Sequence, residues 1–585
     1  MKVKIAIAVV IFLVVAVVVF SANKEFTPAE DLPREALVYA EFSDLPQFLE
    51  LWNKSELKQK YLESQNFSDF QNNHLGLKLA SRLQEFTDAA GVSFDADLFG
   101  DLSEKQAAIG IYDIGKLEFI YIAPVSDTFF SATIVFENKG RFEEQTLEDG
   151  TKVYSVYVKA DRNRQSQQLL FTNFKGRLIL ATSEKLILQT LNNIKGNSEK
   201  NRLSDEPLFA DLAESSKANL LKVWIDQEKL NKDYYFKRYW LMSEMDDLKN
   251  IRAGIFELSF DKIKAVERRR FLLKETQNPA QIQTSELNQI KTFVSADIPF
   301  YHMQTGDAET VADKIFNLIP NKKADRNSAF KSNEQSYFSF YGSDFYETDY
   351  SYLSEDFNKE INENPAEIKN DEKEKSEILK TNLQKILQVG KPKTILTLSK
   401  SETLLMPLFA KFHQAVIVDF DSAINKQQFE QSIIENIENS VAVSDTKLTW
   451  KNAEENGIRW RELKLPFLDW KICYVQKGNF LIFSNEANLL KKIVEHKSKL
   501  NNFTVESAVN EMTFVNLTLE KENFEKIFKQ IPTDEMKNYF LNNVGSLLYS
   551  LSDIETVKIE KGFENGKMAE KITYGLVKQN QLKSR

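Results

Sequence analysis

The segment KGRLILATSEKLILQTL, from Lys175 to Leu191, is answered without a gap by KGNFLIFSNEANLLKKI, from Lys477 to Ile493. In both, Lys-Gly turns the chain, an apolar triplet (Leu178, Ile179, Leu180; Phe480, Leu481, Ile482) reads as a buried strand, and Ser183 or Asn485 starts a helix. The surroundings repeat too. ALVYAEF predicts a strand from Ala36 to Phe42, with Ser43 as N-cap and a helix from Leu45. Glu511 to Phe528 keeps the same plan, with Phe524 in the place of Phe48 and Phe528 in the place of Trp52. Looser copies run from Asn219 to Leu230 and from Asp297 to Phe316.

The same order of parts continues around these blocks. AAIGIYDIGKLEFIYIAPV predicts two strands, and SATIVFENKGRFEEQ a strand running into a helix, as does KFHQAVIVDFDSAINKQQFEQSI in the second half. EDGTKVY and ENGIRWR each place Gly after Asp or Asn, the chemistry of a tight hairpin turn. Long hairpins, Ile251 to Leu273 and Val557 to Leu576, close the two halves. The expected fold is therefore α+β: an internal duplication over residues 30–275 and 290–580, joined by a linker at 276–290. Each half is expected to be an antiparallel sheet with helices packed on one face. A flexible acidic insertion is expected near 341–378, because its composition buries too little apolar surface to offset chain entropy.

Ahead of the halves stands IAIAVVIFLVVAVVVF, Ile5 to Phe20, preceded by Lys2 and Lys4 and succeeded by Glu25, Glu30 and Asp31. The positive-inside bias keeps the amino terminus cytoplasmic and carries the bulk of the chain across the membrane. Residues 1–22 are expected to form a single transmembrane anchor, or else a signal peptide, with 23–30 as tether. Phe20-Ser21-Ala22 disfavours cleavage, because a bulky ring occupies a position that prefers a small side chain. No cysteine comes after the run to take a lipid, so lipoprotein attachment is excluded.

Charge and motifs narrow the chemistry. With 76 basic and 85 acidic residues the chain lacks the broad basic surface that nucleic-acid binding needs. Its one cysteine, Cys473, permits no internal disulfide, and its four histidines show no metal-ligand spacing. No nucleophile elbow, phosphate loop or dinucleotide fingerprint occurs, so no catalytic residue, metal ligand or cofactor is expected. Asp95, Asp97, Asp101 and Glu104 resemble a calcium loop, but Phe99 takes a ligand position, and capping explains them better. Asp161, Arg162, Asn163 and Arg164 read as a polar hairpin tip. Trp450, Trp460 and Trp470 are expected to share a sheet face as core aromatics. The candidate interface is YYFKRYW, where Tyr235, Tyr239 and Trp240 with Lys237 and Arg238 suit an anionic membrane surface or a partner.

The blocks LPREALVYAEFSDLPQFLELW, DADLFGDLSEKQAAIGIYD and KGRLILATSEKLILQTL resemble those of the bacterial domain-of-unknown-function family numbered 3352. The resemblance implies a membrane-anchored envelope protein and brings no catalytic residues. The expected function is a non-catalytic binding or scaffold protein of the cell envelope, on the periplasmic or cell-surface side, with an envelope protein or lipid as partner. The rival readings are a carrier of lipid or another apolar ligand in a groove between the sheets, and a hydrolase with an unsignalled carboxylate site.

Overall fold

The computed structural model describes residues 26–55, 58–59, 62–63, 65–158, 167–197, 200–213, 220–234, 236, 250–261, 264–275, 282, 286, 289–318, 381–403, 410–440, 447–465, 470–495, 509–540 and 554–577. The chain divides into two compact units. The first comprises Met1–Ser55, Asp69–Ser259 and Phe271–Lys274; the second comprises Glu56–Ser68, Phe260–Arg270 and Glu275–Arg585. The protein is α+β, with helices on a large antiparallel sheet.

In the first unit the strands are β1 (Val38–Phe42), β2 (Ala107–Asp113), β3 (Glu118–Pro124), β4 (Glu143–Thr146) and β5 (Lys152–Val158). They continue with β6 (Gln167–Phe174), β7 (Arg177–Ala181), β8 (Leu221–Ile225), β9 (Ile251–Asp261) and β10 (Lys264–Leu273), the tip of this last hairpin being assigned to the second unit. Hydrogen bonding arranges them as β4-β5-β6-β7-β3-β2-β1-β8-β9-β10. The accompanying helices include α1 (Pro28–Asp31), α2 (Leu45–Lys54), α3 (His74–Ala90), α4 (Ala96–Asp101), α5 (Glu184–Lys195) and α6 (Pro207–Ala213).

In the second unit the strands are β11 (Phe300–Thr305), β12 (Pro392–Thr403), β13 (Ala410–Phe420), β14 (Lys451–Glu455) and β15 (Ile458–Leu465). They continue with β16 (Trp470–Lys477), β17 (Phe480–Ser484), β18 (Glu511–Asn516), β19 (Ile554–Glu564) and β20 (Lys567–Leu576). Their order is β14-β15-β16-β17-β13-β12-β11-β18-β19-β20, with neighbouring strands antiparallel throughout. Strand for strand, this is the order of the first unit. The helices here include α7 (Ala308–Phe316), α8 (Lys426–Ser440), α9 (Ala487–Glu495) and α10 (Leu517–Gln530).

Local chemistry explains the joints. Four strands pass into helices through a side chain that accepts a helical amide: Asp44 from Gln47, Asp226 from Lys229, Asp307 from Thr310 and Asn516 from Leu519. Each such cap is worth about 1 kcal/mol. The first of them corrects the expectation of Ser43, because Asp44 is the residue whose oxygen reaches the Gln47 amide at 3.0 Å. Ser183 caps α5 as expected. At the matching point Asn485 instead accepts from Gln414 N–H, and α9 begins at Ala487. Lys175-Gly176, Asn456-Gly457 and Asn565-Gly566 hold both turn residues at positive φ, as a tight hairpin turn requires. The strand expected within SATIVFENKGRFEEQ is helical instead, Asp127–Ser131 then Ile134–Glu137, because Ser126 and Thr133 cap two short helices in succession.

The expectation of helices on one face is corrected. Along β3, Phe119, Tyr121 and Ala123 enter a core with α2, α3 and α4, while Ile120 and Ile122 enter a second core with α5 and α6. Along β13, Val416 and Val418 pack with α7 and α8, while Ala415 and Ile417 pack with α9. Helices therefore cover both faces of each sheet. The physical reason lies in the strands: FIYIA and LILA are apolar at every position, which is the signature of a strand buried on both sides. Polar strands occupy one edge of each order, with β4 exposed throughout and β14 nearly so, which blunts pairing with another chain.

The apolar run Ile5–Phe20, most of the linker 276–290 and the acidic stretch 341–378 lie outside the described residues. Among the described residues no helix is long and apolar enough to cross a membrane.

Candidate functional site

The five residues of the predicted interface, Tyr235, Lys237, Arg238, Tyr239 and Trp240, lie outside the described residues, as does the tip Asp161 to Arg164. Their neighbour Tyr234 is 63% exposed. In the acidic loop before β2, Asp95 caps α4 as expected. Asp95 accepts from Leu98 N–H at 3.0 Å and from the Ser93 hydroxyl at 2.8 Å, and Asp97 accepts from Asn53. Burial opposes ionisation of Asp95, but these bonds outweigh it and hold the carboxyl below its usual range. Trp450 and Trp460 are both buried, yet they belong to cores on opposite faces of the second sheet, so the expected shared face is corrected. Trp450 precedes β14 and sends its indole N–H to the Glu430 carbonyl, free of the alternation that fixes Trp460. The side chain of Trp470 lies outside the described residues.

The second unit brings together the groups with most chemical potential. Register places Glu462 of β15, Cys473 of β16, Ser484 of β17 and Ala415 of β13 in one cross-strand row. Lys464 and Lys471 face one another in the next row on the same face. There His413 Nδ1 lies 3.7 Å from Glu486 Oε2, and Lys471 Nζ lies 3.8 Å from Glu486 Oε1. A thiol, an imidazole and two carboxylates thus share one patch, which linear spacing concealed. The alternation in KFHQAV, KICYVQK and FLIFSNE was the available signal, but it required the strand order to be read.

The chemistry of the patch is quiet. The Cys473 thiol donates toward Glu462 Oε2 at 3.7 Å; burial and then the Glu462 charge push its pKa far up. A thiol held protonated is a poor nucleophile. Burial also opposes ionisation of Glu462, but its hydrogen bond and attraction to Lys464 prevail and lower its pKa. Among the described residues no group of three or more His, Cys, Asp or Glu side chains is placed to hold a metal ion.

A second histidine is held through both ring nitrogens. His302 on β11 sits with Nε2 2.8 Å from Gln304 Oε1 and Nδ1 2.9 Å from Thr513 Oγ1. The carboxamide oxygen accepts, so Nε2 carries the proton and Nδ1 accepts from the Thr513 hydroxyl. Burial lowers the imidazole pKa against the pull of Glu511. Elsewhere, Glu430 of α8 accepts from Arg461 Nε and Nη2, both at 2.7 Å, and from the Tyr474 hydroxyl at 2.6 Å. This pins α8 to β15 and β16, the work of a structural clamp.

No family model and no curated protein matches the chain. Among solved structures, crystal form III of TP0453 is similar over 46% of this chain and 87% of its own, with 11% identity and a TM-score of 0.24. Crystal form I of TP0453 covers 46% and 85%, with 10% identity and a TM-score of 0.23. Superpositions at this level say nothing about activity.

Proposed function

We propose that the chain is a membrane-anchored, extracytoplasmic protein of the bacterial cell envelope that works by binding rather than catalysis, and that its two units arose by internal duplication. The observation that carries the location is the uncharged run Ile5–Phe20 behind Lys2 and Lys4, which has the polarity of an anchor that exports the chain on its carboxyl side. Support for duplication comes from the identical strand order and from the Lys-Gly turn, buried strand and helix shared by Lys175–Leu191 and Lys477–Ile493. Support for a non-catalytic role comes from the best-equipped patch, where the thiol is kept protonated and the carboxylates are occupied by lysines. Packing on both faces of each sheet favours a scaffold over a carrier whose groove is formed by bare sheet faces.

Location is tested by fusing alkaline phosphatase after Arg585 and washing membranes with carbonate. An active fusion retained by the membrane is expected. An inactive fusion, or a soluble product beginning near Ala22, overturns the reading.

A further inference from the structure

We propose that the end of the first unit carrying the β6–β7 turn rests on the lipid headgroup layer, with Lys175 as its headgroup contact. This rests on the anchor reading above. Five residues, Ser21 to Glu25, separate the apolar run from Phe26, the first described residue. Six Cα steps at full extension reach about 20 Å, so Phe26 cannot leave the neighbourhood of the headgroups.

From Phe26 onward the chain is clasped to the unit. The Arg177 guanidinium lies over the Phe26 ring, 5.7 Å from its centroid, and its Nε donates to Asp31 Oδ2 at 2.7 Å. Asn193 Nδ2 donates to the carbonyls of Asp31 at 3.0 Å and Leu32 at 3.1 Å. Phe26 is therefore part of a fixed surface, and that surface is defined by what surrounds Arg177.

Around it stand a half-buried ring and two amines. Lys175 and Lys195 each place Nζ 5.4 Å from the Phe174 centroid. Nearby acids already have partners: Asp31 is held by Arg177, Asp149 by Lys195, and Asp127 by Asn173. Lys175 is exposed at the tip of the turn, at φ 50, a conformation that Asn or Gly would adopt at less cost. Aromatic rings flanked by cations are the side-chain set that favours a membrane interface, where the ring meets the acyl boundary and the amine meets phosphate. The matching amine of the second unit, Lys477, is instead turned onto the Val494 carbonyl at 3.3 Å.

The test uses the full chain in nanodiscs containing phosphatidylcholine, phosphatidylglycerol and a headgroup-nitroxide lipid. Cys473 is fully buried, so a fluorophore can be directed to Asn197→Cys, just past α5, or to Lys116→Cys. Lys116 lies at the far end of β3, whose Pro124 pairs with Arg177. Several-fold stronger quenching at 197 than at 116 is expected, reduced when Lys175→Glu is added. Equal quenching at the two positions, or no effect of Lys175→Glu, overturns the proposal. A carbonate wash of the same samples separates the causes: a chain that leaves the membrane fails the anchor reading, and one that stays without selective quenching fails the headgroup contact alone.

Discussion

Replacing Glu430 by Gln removes a charge from the acceptor of three hydrogen bonds while keeping shape nearly constant. In the native protein the Arg461 fork meets both carboxylate oxygens at 2.7 Å and Tyr474 adds a third bond at 2.6 Å. A hydrogen bond to a charged group contributes about 1.5–3 kcal/mol. With the carboxamide oxygen in the Oε1 position the bonds from Arg461 Nε and Tyr474 persist without the carboxylate charge, while the Arg461 Nη2 bond at the Oε2 position is lost, because an amide nitrogen cannot accept. The Arg461 side chain is 30% exposed and keeps Asn452 as a partner, so water recovers part of the loss. The expected cost is about 2–3 kcal/mol, or about 3–4 °C in the melting of a unit of this size.

The pH dependence carries an independent sign. Burial works against ionisation of Glu430, but the bonds from Arg461 and Tyr474 dominate and depress its carboxyl pKa. Below the unfolded value the unfolded chain takes up the proton first. The stabilisation is therefore complete above about pH 4.5 and is lost as pH falls through the lower folded value. Denaturant melts of wild type and Glu430→Gln, monitored by the fluorescence of Trp450 and Trp460, should show a gap that is constant near neutrality and closes in acid. A gap below about 0.5 kcal/mol at pH 7, or one that persists unchanged in acid, would refute the clamp.

Cys473 should resist alkylation in the native protein and react at once in denaturant; rapid native modification at neutral pH would contradict a buried, protonated thiol. His302 has a lowered pKa, so it contributes nothing above the unfolded value and costs stability as pH falls below about 6.5. His302→Gln should flatten the loss of stability between neutral and mildly acidic pH, and an unchanged slope would count against the assignment. Trp224 is fully buried between Phe209 and the first sheet, so Trp224→Ala should cost about 3–5 kcal/mol in thermal melts.

Much of the fold was legible because its signals are local. A strand leading into a helix was readable at Asn219 to Leu230, Asp297 to Phe316 and Glu511 to Phe528, and a tight turn at Asn456-Gly457, because backbone geometry within a few residues settles each. Which face an apolar strand presents is not local. In FIYIA every residue is apolar, so periodicity cannot divide Tyr121 from Ile122, and only the helices that arrive from elsewhere in the chain reveal two cores instead of one. The same limit separated Trp450 from Trp460 and hid the meeting of Cys473 with Glu462 and of His413 with Glu486. Sequence determined the units of strand, cap and turn because their energetics are decided by neighbours along the chain. Tertiary structure alone decided which side chains share a face, because antiparallel register joins residues tens to hundreds of positions apart.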